Sequence, residues 1–220
     1  MHRYFVTGTD TDVGKTRVAA ALALALKRGG DAPTIVKLVQ TGATPQEEGD
    51  AQRAARLAGV RHVEIARFEK PADPWSAAVA QGCEPLRARV LADELAGIGG
   101  ALVVEGVGGM LAPLNVDEHL GHVASLAKLE MILTVGLRLG CLNHALLTLR
   151  LCRELELPVA GAVLVERWAP TDHAYRTDVA RVLQEKVRIF GIQAFAPAER
   201  ESVETGAKLF ESLVNEERDR

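Results

Sequence analysis

Much of what would place this chain outside the ordinary globular proteins is missing from it. Its 220 residues include only three cysteines, Cys83, Cys141 and Cys152. They lie far apart and are odd in number, so they make neither a disulfide framework nor a CxxC metal pair, and they suit a reducing cytoplasm. No basic cluster is dense enough for nucleic acid and the net charge is −3, which leaves small molecules as the expected partners. The longest uncharged apolar run, Val18 to Leu26, is far too short to span a bilayer, so no membrane role is expected. The N-terminus enters a strand pattern directly, with no secretory apolar region and cleavage site. Repeats, linkers and low-complexity segments are also lacking. What remains is 48% hydrophobic and 25% charged, enough for a single α/β domain over residues 1–220 with a sizeable core.

The most informative stretch is Gly8-Thr9-Asp10-Thr11-Asp12-Val13-Gly14-Lys15-Thr16, which stands between the apolar runs Tyr4 to Val6 and Val18 to Leu26. Strand, glycine-bounded loop and helix in that order make a phosphate-binding loop. Backbone N–H groups converge on an anion, and the helix start adds its positive dipole end. Lys15 supplies a mobile charge for terminal phosphates, and the Thr16 hydroxyl can ligate Mg²⁺. Gly8 lies one residue further from the Gly14-Lys15 pair than the common motif places its first glycine.

The rest of the chain alternates strand and helix patterns. Strands are expected at Arg3 to Thr7, Thr34 to Val39, Val63 to Phe68, Ala101 to Glu105, Met131 to Val135, Val159 to Val165 and Val187 to Gly191. Helices are expected at Asp50 to Ala58, Trp75 to Ala80, Leu86 to Leu95, Val123 to Lys128, Cys141 to Glu156, Thr171 to Glu185 and Val203 to Val214. Alternation of this kind predicts an α/β fold of the P-loop NTPase-like type, one mostly parallel open sheet with helices on both faces. Ligands of such sheets sit beyond the strands' carboxyl ends. The loop from Gly8, Lys37, Glu105 and the turn from Gly136 to Asn143 all fall there.

Several residues carry chemistry with alternatives attached. Glu105 ends a buried strand and enters Gly106-Val107-Gly108-Gly109, so it reads as a Mg²⁺ ligand opposite Thr16 rather than a solvated strand-end acid. Asp50 reads as a second ligand or, on its own, as a helix N-terminal acid. Lys37 reads equally as a clamp on developing negative charge or as a snorkelling surface lysine. Thr41 can bond the same substrate or serve a turn. Gly140-Cys141-Leu142-Asn143 opens a helix whose free N–H groups can hold a carboxylate, or is a plain N-terminus. His119 and His122 have no further ligand at suitable spacing and read as a solvated loop.

Gly8 to Thr16, Lys37 to Gly42, Val104 to Gly109 and Gly136 to Ala145 together resemble the ATP-dependent dethiobiotin synthetase family, over nearly the whole chain and in order. The wide spacing before Gly14 is characteristic of that family. The resemblance implies an ATP- and Mg²⁺-dependent ligase of biotin biosynthesis. It would carboxylate 7,8-diaminononanoate with CO2, or bicarbonate, and close the ring to dethiobiotin, through a carbamate and a carbamic–phosphoric anhydride. Lys15 and Lys37 would hold carbamate and γ-phosphate oxygens, Thr11 and Thr41 the diamine end, and Thr16, Asp50 and Glu105 the metal. Asp12, Val13, Gly14, Arg17, Gly106, Val107 and Gly108 would contact nucleotide. A homodimer is implied, with the substrate tail at Gly140, Cys141 and Asn143 of the partner copy and Tyr175 near that tail.

Some positions depart from the family pattern. Leu38 replaces a proline after the lysine, and Asp12 a longer acid. At the base-reading positions Val165 and Glu166 stand where an asparagine is usual, and Gln193-Ala194-Phe195 alters the second base loop. Losing that amide implies relaxed base selectivity, with phosphates carrying most of the affinity. A partitioning ATPase would carry a lysine and two glycines where this chain has Asp10, Thr11 and Asp12. A plain nucleotide-binding module leaves Lys37 and the paired acids without a role, and an amidotransferase relative would need a further domain.

Overall fold

The computed structural model of the chain describes residues 2–194, 196 and 198–218. In chain order its elements are β1 (Arg3–Gly8), α1 (Lys15–Arg28), β2 (Thr34–Thr41), α2 (Asp50–Ala58), β3 (Arg61–Phe68), α3 (Pro74–Ala80), α4 (Ala88–Gly97), β4 (Leu102–Glu105), α5 (Leu120–Leu126), β5 (Glu130–Gly136), α6 (Cys141–Glu154), β6 (Val159–Val165), α7 (His173–Gln184), β7 (Ile189–Gln193), α8 (Glu199–Lys208) and α9 (Glu211–Arg218). The seven strands form one sheet in the order β3-β2-β4-β1-β5-β6-β7, with every neighbour parallel. Strand order reverses about β1, whose carboxyl end therefore opens into the crevice where open parallel sheets bind ligands.

The inner strands β1, β2, β4, β5 and β6 are largely apolar because both of their faces are covered. Tyr4, Val6, Ile35 and Val103 pack under α1, α2, α8 and α9. Phe5, Val36, Leu102 and Val104 pack against α3, α4 and α5 on the other side, and Leu133, Val135 and Leu164 against α6 and α7. Helix α1 is apolar all round because it is buried all round: every residue from Val18 to Leu26 is inaccessible or nearly so. Its alanines let it lie close to both the sheet and α8, and Lys27 and Arg28 meet the negative end of its dipole.

Three expectations are revised. The run from Val203 to Val214 is two helices, not one. The amides of Leu209 and Phe210 bond back to Gly206 and Ala207 in a tight turn, which carries Phe210 into the core beside Phe190, ring centroids 5.2 Å apart. The sequence sets Leu142, Ala145, Leu146, Leu149, Cys152 and Leu155 along one wide apolar face of the helix from Cys141, yet within α6 only Cys141, Ala145 and Cys152 are buried. Leu139 stays 93% exposed, Leu147 58% and Leu146 38%. The third revision concerns His119 and His122, which are no solvated loop. They cap α5: His119 Nδ1 accepts from Gly121 N at 3.1 Å, and His122 Nδ1 accepts from His119 N at 3.2 Å. Their rings stack at 3.9 Å.

The His119 cap needs a neutral imidazole, since its Nδ1 accepts the Gly121 amide. Burial, then the neighbouring His122, push the His119 pKa below the usual histidine value. The folded chain thus binds fewer protons than the unfolded chain, so the stabilisation is complete above about pH 6.5 and is lost as pH falls through that range. Urea unfolding at pH 7.5 and 5.5 is expected to show a lower midpoint at the acid pH. His119→Asn, which keeps a cap that does not titrate, is expected to shrink that difference.

Candidate active site

The loop between β1 and α1 is shaped by its glycines. Gly14, the N-cap of α1, stands at φ 103°, and a Cβ there would come within 3.0 Å of Val165. A Cβ on Gly8 would meet Val13 at 2.7 Å. The backbone can therefore curl tightly over the start of α1, leaving the N–H groups of a helix terminus open to an anion. Lys15 follows, buried, with Nζ donating to the Asp10 carbonyl at 2.8 Å. Burial first, and the Lys37 charge second, pull its pKa down to about 8.

Strand order brings the second lysine to the same place. β2 lies beside β4 with Lys37 directly opposite Glu105 in register. Lys37 is only 2% exposed, and Nζ sits 2.9 Å from Glu105 Oε1, 2.6 Å from Asp50 Oδ2 and 3.1 Å from the Gly106 carbonyl. It is not a surface lysine. Burial alone would lower its pKa, but Glu105 and then Asp50 outweigh burial and raise it. Burial pushes the Glu105 carboxyl up, Lys37 opposes, and the Asp50 charge adds to the rise. Thr16 Oγ1 donates to the same Glu105 oxygen at 2.9 Å. Asp50 is brought in by Gln40, whose Oε1 accepts the Asp50 amide at 2.8 Å and so ties the start of α2 to the end of β2. The Asp50 side chain goes to Lys37 rather than to the helix cap position, which is Gly49.

These groups line one cleft of about 330 Å³. Thr11, Asp12, Gly14, Lys15, Thr16, Arg17, Lys37, Thr41, Asp50, Glu105, Val107 and Gly108 all border it. The other expected residues lie elsewhere. Val13 and Val165 are core side chains. Glu166 turns away, accepting from Thr171 N at 3.0 Å and from Arg176 at 3.1 Å. Gly106 and Ala194 do not border the cleft, and Phe195 lies outside the described residues. Gly140, Cys141, Asn143 and Tyr175 form a separate group, in which the Tyr175 hydroxyl donates to the Arg138 carbonyl at 2.6 Å and lies 3.4 Å from Cys141 Sγ.

Arg53, Leu57, Arg167 and Glu199 also border the cleft, and the sequence reading passed over them. Arg167 is the second residue beyond β6, at the carboxyl end where ligands of such sheets sit. Arg53 is one helical turn from Asp50 on the same face of α2. Glu199 had no such signal.

Among the described residues no three His, Cys, Asp or Glu side chains converge as a metal site. Thr16, Asp50 and Glu105 nonetheless fit a hard cation that takes its remaining ligands from water and phosphate. Glu105 Oε2 is buried with no hydrogen-bond partner, an orphaned oxygen of the kind a cation satisfies.

A family model described as an AAA domain matches residues 2–200. The chain is 39% identical to the ATP-dependent dethiobiotin synthetase BioD of Streptomyces coelicolor, over 80% of this chain and 76% of that one. It is 37% identical to the protein of the same name from Cellvibrio japonicus, over 73% and 75%. Among solved structures, the cell division ATPase MinD of Pyrococcus furiosus superposes with a TM-score of 0.64 at 18% identity, covering 100% of this chain and 99% of that one. That likeness is one of fold.

The Lys37 cluster is expected to dominate stability without ligand. Lys37→Ala leaves Glu105 buried without its cation and should cost about 3–5 kcal/mol in urea unfolding. Adding Glu105→Gln should recover much of that loss, because the uncompensated charge goes with it.

Proposed function

The chain belongs to the ATP-dependent dethiobiotin synthetase family, and we propose that it carboxylates 7,8-diaminononanoate with CO2 and closes the ring to dethiobiotin at the expense of ATP. The observation that carries this reading is the Lys37 ammonium, buried between Asp50 and Glu105 and opening on the same cleft as Lys15 and Thr16. A plain nucleotide-binding module has no use for a second buried lysine there.

In this reading a substrate amine traps CO2 as a carbamate. The carbamate oxygen attacks the γ-phosphorus of ATP, breaking the bond to ADP and forming a carbamic–phosphoric anhydride. The second amine attacks the carbamoyl carbon, closes the cyclic urea and expels phosphate. Lys37 and Lys15 hold the carbamate and γ-phosphate oxygens as charge builds on them, stabilisation that acts most strongly in the transition state. Thr11 and Thr41 border the cleft beside Lys37 and orient the diamine. Mg²⁺, held by Thr16, Asp50 and Glu105, would neutralise phosphate charge when bound.

The substrate's carboxylate tail is assigned to Gly140, Cys141, Asn143 and Tyr175 of a second copy. Two features support a homodimer. These residues do not border the cleft of their own chain, and exposed Leu139, Leu146 and Leu147 surround the start of α6. Three free cysteines suit a reducing cytoplasm, where we place the reaction.

Phosphate release is expected only when bicarbonate and diaminononanoate are both present with Mg·ATP. Release without either would refute the assignment. Lys37→Gln, which keeps hydrogen bonding to Glu105, should lower kcat by about 10²–10³ while nucleotide affinity changes little. With ATP, CTP and GTP compared at equal concentration, similar turnover is expected because Val165 and Glu166 offer no side-chain amide to a base edge. A large preference for ATP would count against this.

A further inference from the structure

Beyond Lys15 the cleft continues over the first turn of α1 to three guanidinium groups, those of Arg17, Arg53 and Arg167. Arg17 is expected above only as a nucleotide contact, and no role assigned above uses Arg53 or Arg167. Arg53 is paired with Glu199 at the start of α8, and Arg167 donates from Nη2 to Asp12 Oδ1 at 2.8 Å. Arg17 differs: its Nη1 is buried with no hydrogen-bond partner. Burial, and next the nearby Arg167 charge, lower its pKa. Positive charge is thus concentrated beside a loop already built for an anion.

The Asp12–Arg167 bridge has a particular position. Asp12 stands at φ 57°, a left-handed conformation that costs a non-glycine residue something to hold. Arg167 arches over the loop backbone, its Cδ 3.9 Å from where a Cβ on Gly14 would stand. The bridge therefore lies beside Gly14, the N-cap of α1, where a phosphate would meet the loop. Its side chains are 31% and 61% exposed, and an ion pair that open to water contributes little. A guanidinium–phosphate pair is shorter, charge-assisted and often bidentate. An incoming phosphate thus competes with Asp12 for one guanidinium and holds the stronger position.

We propose that Arg167 is a nucleotide-phosphate-binding residue and that Asp12 is its stand-in partner, released when a nucleoside di- or triphosphate enters. This rests on the nucleotide half of the function proposed above and deepens it. It identifies where base-independent affinity comes from in a chain whose base-reading positions are Val165 and Glu166.

The two members of the pair are expected to move affinity in opposite directions. Binding of ADP, CDP and GDP is measured by calorimetry, without diamine or bicarbonate. Arg167→Gln should weaken all three roughly tenfold, and Arg167→Lys should lose less. Asp12→Asn should bind all three about two- to fivefold more tightly, since asparagine tolerates the left-handed backbone and releases Arg167. In the double variant that gain should vanish. If Asp12→Asn weakened binding as Arg167→Gln does, the pair would be a structural brace and the proposal would fall. Unchanged binding in Arg167→Gln, or a loss confined to one base, would overturn it equally. A wild-type chain that bound no nucleotide would sink this proposal together with the function proposed above. Nucleotide binding without carboxylation would sink only that function.

Discussion

A lysine buried between two carboxylates organises this molecule. Lys37 sits in an interior strand, where an unpaired ammonium would be prohibitively costly. Its partners come from separate elements, and each constrains the fold. Glu105 requires β4 to lie beside β2 in one register. Asp50 requires α2 to start where Gln40 pins it. Thr16, on the first turn of α1, completes the group through Glu105. The insertion of β4 between β1 and β2 is what lets the two loops that follow β1 and β4 share one cleft with the end of β2.

Several costs meet at that cleft. Lys15 is buried with its pKa lowered to about 8, Asp12 holds a left-handed backbone, and Glu105 Oε2 is unpartnered. The Lys15 charge and the Glu105 oxygen are features that an anion and a cation in the cleft would relieve. Away from it, Lys128 and Glu156 also hold a left-handed backbone, and Arg3 Nε, Thr34 Oγ1, Thr134 Oγ1 and Gln193 Oε1 are buried without a hydrogen-bond partner. The inner strands are apolar because they are covered, α1 is apolar because it is enclosed, and α5 is capped by His119 and His122. What sets the cleft apart is that its costs fall on charged groups with perturbed pKa values, a usual mark of a functional site.

The surface of α6 separates the two kinds of information. Its periodic leucines were plain in the sequence, but periodicity does not say what covers them. In this chain Leu146 and Leu147 face outward, beside the turn at Gly140 whose groups stand apart from the cleft. The same limit explains the histidines. Spacing placed His119 and His122 near one another, whereas their capping role depends on how the chain enters α5.

The sequence by itself determined the phosphate loop, the strand–helix alternation and the parallel class of the sheet. Each depends on neighbouring residues: glycine geometry, a run of apolar residues, a 3.6- or 2-residue period. It also carried the residues of the metal and lysine group as candidates, with Lys37 and Asp50 undecided between bland and chemical roles. Only the tertiary structure decided between those roles. Burial and pairing arise from strand order and from contacts between residues far apart in the chain, such as Lys37 with Glu105 or Asp12 with Arg167. No local pattern encodes which distant charge will arrive to pay for a buried one.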